Sequence, residues 1–119
     1  HDMSTLRMWW EENPERTQHY FTTMLQKVDK APKHLPAWIA EEIIARHLYS
    51  PSMLCMLSFQ DWTALDGELR EKDLFKERIN VPSDPSNRWC YRMHVTIEEL
   101  MKSDKFNGKL KQMIKLSQR

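Results

Sequence analysis

Stretches whose apolar residues recur every three or four positions alternate, along this chain, with stretches that keep no such period. Asn13-Pro14-Glu15 supplies an N-cap, a first-turn proline and an acid for the positive end of a helix. Tyr20, Phe21, Met24, Leu25 and Val28 then return at helical spacing, which predicts a helix from Pro14 to Val28. Pro32 closes that pattern and Pro36 opens the next, where Trp38, Ile39, Ile43 and Leu48 make an apolar stripe among Glu41, Glu42 and Arg46. The second helix is expected to end near Tyr49, before Pro51, with Trp38 in the core. Near the other end Thr96-Ile97-Glu98-Glu99 has capping-box form, so a short helix begins there. A last helix follows, with Phe106, Leu110, Met113 and Ile114 on one face and Lys105, Lys109, Lys111 and Lys115 around the rest.

The run Met53-Leu54-Cys55-Met56-Leu57-Ser58-Phe59 breaks the helical period, because nearly continuous apolar character leaves no face for water. It reads as a strand buried on both faces, and no second strand of comparable quality accompanies it. The expected fold is therefore mainly α with one short buried β-strand over residues 53–59, all within a single segment, 1–119. A lone strand exposes two unpaired edges, so self-association through residues 53–59, or a rearranged helical fold, is expected. Residues 60–77 are polar, six acids to three bases, and read as short helical turns around Gly67. Residues 78–91, with Pro82 and Pro85 among Ser83, Asp84, Ser86 and Asn87, read as a loop ordered by what it touches.

Composition narrows the function classes. Eighteen Lys and Arg against seventeen Asp and Glu leave a formal charge of +1, so no global field points to nucleic acid or to an anionic membrane. No apolar run approaches the roughly 18 residues of a membrane span. Only two glycines are present, too few for a Walker or dinucleotide phosphate loop. The five histidines form no HxxxH or HExxH pair and Cys55 and Cys90 no CxxC, which leaves no pattern for zinc; no cofactor is expected. The cysteines read as reduced thiols of a cytoplasmic protein. The sequence begins His1-Asp2 ahead of Met3, which fits either a tag remnant or a piece of a longer chain.

Candidate chemistry is sparse. Residues 102–119 carry six cations and one anion, which suits a solvated helix face, with an acidic partner or RNA as the alternatives. The five tryptophans suit a core as well as sugar stacking. Glycoside chemistry needs two carboxyl groups about 5 to 10 Å apart. Asp2, Asp61 and Asp66 qualify by type, but such aspartates are far more often caps or solvated charges.

Four collinear stretches carry a resemblance. His1-Asp2-Met3-Ser4-Thr5-Leu6-Arg7 runs on to Trp9-Trp10-Glu11-Glu12; then come Ser58-Phe59-Gln60-Asp61-Trp62, Glu77-Arg78-Ile79-Asn80-Val81-Pro82 and Trp89-Cys90-Tyr91-Arg92-Met93-His94. In this order and spacing the chain resembles the C-terminal part of the amylomaltase, or disproportionating, 4-α-glucanotransferases, and is most similar to the larger plant-cytosolic branch. The resemblance implies the C-terminal part of a (β/α)8 barrel, incomplete on its own, with residues 53–59 as its last strand and Gln60 and Asp61 at the strand end where barrel sites lie. It implies retaining transfer of α-1,4-glucan segments or glucosyl units, with an α-glucan or maltose as substrate.

The same resemblance implies roles for particular residues. Asp2 would be the acid that steadies the transition state, and His1 would bind the same sugar ring. Gln60 and Asp61 would support that site, Asn80 would line the acceptor side, and Arg78 would anchor its loop. Ser83 stands where many relatives have glycine and Tyr91 where many have tryptophan, so the loop need not follow the family's conformation. The nucleophilic aspartate and the acid/base glutamate of the family fall upstream of the matched region, so the 119-residue chain alone is expected to be inactive. A stand-alone helical protein-interaction module using the aromatic and basic faces is the alternative reading, with RNA binding through residues 102–119 behind it.

Overall fold

The computed structural model describes residues 1–119. Six α-helices carry the chain: α1 (Leu6–Glu12), α2 (Pro14–Thr23), α3 (Ala37–Leu48), α4 (Phe59–Thr63), α5 (Ile97–Lys102) and α6 (Asp104–Leu116), with a 3-10 turn at Leu74–Glu77. Their starts follow from local chemistry. Thr5 caps α1 by accepting from Met8 N at 3.3 Å, and Asn13 caps α2 by accepting from Arg16 N at 3.0 Å, with Pro14 in the first turn. Thr96 and Glu99 form the expected capping box at α5.

α2 ends at Thr23, before the predicted Val28, which is almost fully exposed. The chain reverses through Gln26 at φ 55°, a left-handed conformation that ends a helix. Gln18 holds the returning segment, donating to Asp29 O at 3.2 Å and accepting from Ala31 N at 2.8 Å. Trp10 Nε1 donates to Pro32 O at 2.8 Å and closes the turn against α1.

α3 is the spine of the core. Ile39, Ala40, Ile43, Ile44 and Leu48 are buried along it and pack with Trp10, Phe21, Leu25, Leu35, Ala64, Leu65 and Phe106. At about 100° per residue, these positions centre the stripe opposite Trp38. Trp38 is accordingly 52% exposed and not part of the core, correcting its sequence assignment. It shares the polar face with Glu42, where Lys27 bonds the carboxylate at 3.0 Å and sits 5.8 Å from the Trp38 ring centroid. α6 lays Phe106, Leu110 and Met113 on the same core and pairs Lys109 with Glu41 at 2.8 Å.

No strand forms, which overturns the expectation of one short buried β-strand at residues 53–59. The segment instead runs extended over the surface: Met53, Leu54 and Met56 are exposed, while Cys55 and Leu57 lean on the core. None of the backbone N–H groups of residues 51–57 donates to a main-chain carbonyl, and a strand needs a neighbour to accept those bonds. Ser58 then caps α4, accepting from Asp61 N at 3.1 Å, so Phe59 begins a helix rather than ending a strand. The strand edge expected to drive self-association is therefore not formed. Arg119 fastens the start of the segment, donating to the carbonyls of Leu48, Ser50 and Ser52 at 2.6, 2.6 and 2.7 Å.

Candidate active site

The first seven residues and the loop after the 3-10 turn meet beside the start of α4. Asn80 Nδ2 donates to Asp2 Oδ1 at 2.6 Å, joining residues 78 positions apart. His1 Nε2 lies 3.0 Å from the same Asp2 oxygen, and the His1 ring rests on Trp89 with centroids 4.4 Å apart. Asn80 Oδ1 accepts from Asn87 Nδ2 at 2.9 Å, so the Asn80 amide is oriented with its donor end toward Asp2. His1 and Asp2 remain about half exposed, open to a ligand.

Under this layer lies a buried carboxylate. Glu77 is 1% exposed; it accepts from Thr5 Oγ1 at 2.9 Å and is paired with Arg7, whose guanidinium also donates to Glu71 O at 2.7 Å. Burial pushes the Glu77 carboxyl above the ordinary carboxylate range; the Arg7 charge and the hydrogen bonds from Thr5 and Arg7 oppose that rise, and Asp61 adds to it. Burial likewise raises the Tyr91 phenol, with Glu77 and Glu71 adding to the effect, and the Tyr91 hydroxyl is enclosed without a hydrogen-bond partner.

The residues expected to form a site fall into two groups. His1, Asp2 and Asn80 are linked directly. Gln60 and Asp61 line a small pocket of about 120 Å³ together with His1, Ser4, Thr5 and Glu77, but their polar atoms turn to packing: Gln60 Nε2 donates to Glu77 O at 2.9 Å and Asp61 Oδ1 accepts from Leu6 N at 2.7 Å. Arg78 folds over its own loop, donating from Nε to Asn80 O at 2.9 Å, and reaches Glu12 at 3.7 Å. A larger open groove of about 710 Å³ lies on the other side of Arg7, but its charged residues are engaged, Arg70 with Leu35 O and His34 with Glu11, and it holds none of the candidate residues.

Sequence reasoning did not assign roles to Thr5, Arg7 or Glu77. All three lie within the quoted motifs, and an acid and a base inside two collinear motifs were the available signal. No three His, Cys, Asp or Glu side chains converge in a way that would hold a metal ion, and no helix is long and apolar enough to cross a membrane.

A linked histidine and carboxylate with an oriented amide are thus open to solvent on one side and lie over a buried ion pair on the other. Comparison with known proteins shows the family. The 4-alpha-glucanotransferase family profile matches residues 1–97, and the chain belongs to that family. It is 32% identical to the 4-alpha-glucanotransferase DPE2 of Oryza sativa subsp. japonica over 119 residues, all of this chain and 13% of that protein. It is 30% identical to the 4-alpha-glucanotransferase of Chlamydia pneumoniae over 115 residues, 96% of this chain and 21% of the relative. The Chlamydia caviae protein of the same description is 31% identical over 118 residues. The chain thus spans about a fifth or less of the length of these relatives. No solved structure gives a significant match.

Proposed function

We propose that this chain forms part of the sugar-binding and transition-state-stabilising wall of a 4-α-glucanotransferase that moves α-1,4-glucan segments or glucosyl units between sugars in the cytoplasm. The observation that carries this reading is the joining of His1, Asp2 and Asn80 through one carboxylate oxygen, with contacts of 3.0 and 2.6 Å. A carboxylate held this way can accept sugar hydroxyl protons and stabilise positive charge developing on a sugar ring. His1 on Trp89 offers an imidazole and an aromatic surface to the same ring. The free thiols Cys55 and Cys90 suit a reducing compartment.

In this reading the reaction is a double displacement. A carboxylate outside these 119 residues attacks the donor's anomeric carbon and the glycosidic oxygen leaves with a proton from an acid; the acceptor hydroxyl, giving its proton to that acid's conjugate base, then displaces the carboxylate with retention. Asp2 supplies electrostatic stabilisation in both halves, and Asn80 holds it toward the sugar. The chain alone lacks the groups for bond cleavage and is inactive by itself. Incubating the full-length protein with maltotriose tests the reading: glucose should appear together with maltooligosaccharides longer than the substrate. Glucose and maltose without longer products would mean hydrolysis, and the proposal would fail.

A further inference from the structure

We propose that Glu77 is a positioning residue for the Asp2–Asn80 pair, a role that rests on the functional reading of Asp2 above. The geometry is a two-ended brace. On one side, Thr5 donates to Glu77 Oε2 at 2.9 Å, and Thr5 stands three residues after Asp2. On the other, Asn80 stands three residues after Glu77, and Arg78 Nε closes onto Asn80 O at 2.9 Å across that short span. Both ends of the 2.6 Å bond between Asn80 and Asp2 therefore trace back, through equally short pieces of chain, to a single buried carboxylate.

The brace is itself anchored. Arg7 on α1 pairs with the Glu77 carboxylate, Gln60 on α4 donates to the Glu77 carbonyl at 2.9 Å, and Asp61 takes the Leu6 N–H at 2.7 Å. Glu77 thus joins the start of α1, α4 and the loop of residues 78–82 at a point that solvent does not reach, being 1% exposed. Residues 1–5 and 78–95 form no helix or strand, so neither segment has secondary structure of its own to hold its register. A tie between them through Glu77 removes the freedom that a half-exposed carboxylate on an irregular segment would otherwise have.

The test reads position without substrate, in the nitrogen-15-labelled full-length protein, by NMR. Two variants weaken the brace from different sides: Glu77→Gln, which removes the charge and keeps the shape, and Thr5→Val, which removes the bond to Glu77 together with the α1 cap to Met8 N. With the amide signals of Ile39 and Ile43 unmoved, each variant should lower the backbone order parameter of residues 78–81 from about 0.85 to below about 0.6. The two Asn80 Nδ2 proton signals should draw together toward those of a freely solvated asparagine. If Glu77→Gln unfolds the chain, Thr5→Val alone carries the test. Unchanged order parameters and Asn80 signals in a folded variant would overturn the role of Glu77. Because no sugar is present, that result would leave the role of Asp2 to be judged separately by activity.

Discussion

Arg7→Met should be among the most damaging substitutions of a charged residue in this chain. The Arg7 side chain is 10% exposed and the Glu77 side chain 1%, so solvent cannot take over when the guanidinium is removed. Glu77 would keep only the Thr5 hydroxyl. Breaking a buried pair by removing one partner costs about 3–5 kcal/mol. By contrast Lys109–Glu41, at 2.8 Å but 34% and 42% exposed, is a surface pair, and Lys109→Met should cost no more than about 1 kcal/mol. The sign with pH also follows. The folded Glu77 carboxyl already titrates above its unfolded value, so the folded chain holds its proton more tightly; its contribution to stability is full below the unfolded value and is lost as pH rises through the folded one. Losing Arg7 lifts that carboxyl further. The penalty of Arg7→Met should thus be largest at neutral pH and shrink toward about pH 5, and Arg7→Met with Glu77→Gln should recover most of it. Urea unfolding followed by tryptophan fluorescence measures all three. A cost near that of Lys109→Met, or one that grows on acidification, would refute this reasoning.

The two faces of α3 give a second pair of outcomes. Ile39 is fully buried, so Ile39→Ala should cost about 2–5 kcal/mol by urea unfolding. Trp38 is 52% exposed and has the Lys27 ammonium 5.8 Å from its ring centroid, so Trp38→Ala should cost below about 1 kcal/mol despite the larger volume removed. Equal losses would mean that the buried face of α3 is misassigned.

Much of the helical frame was legible because it depends on local signals. The Asn13-Pro14 start, the Thr96–Glu99 box and the Ile39, Ile43, Leu48 stripe are each written within a few residues, and each appears where the spacing places it. The errors came where the decision lay elsewhere in the chain. Val28 kept the helical period, but Gln26 reversed the chain and Gln18 captured the return. The apolar stripe of the sequence includes Trp38 with Ile39, Ile43 and Leu48, whereas Ile39, Ala40 and Ile44 set the buried face on the other side. Residues 53–57 are apolar enough for a strand, yet a strand exists only in partnership, and Ser58 carried a helix cap that the apolar run overshadowed.

The connections among the candidate residues were only partly legible. His1, Asp2 and Asn80 were drawn from the family resemblance, and the fold brings them into contact. Gln60 and Asp61 share a pocket with His1, but their hydrogen bonds serve α1 and the 3-10 turn. The Thr5–Glu77–Arg7 network joins residues about seventy positions apart, and no periodicity or short motif records such a pairing.

The most direct measurement is the rate of glucosyl transfer from maltotriose by the full-length protein with Asp2→Asn, beside its wild-type form. The substitution keeps shape and the contact with Asn80 but removes the charge, so kcat should fall about 10²–10³-fold with a much smaller change in KM. A kcat within twofold of wild type would contradict the assignment of Asp2 to the transition state and, with it, the account of this site.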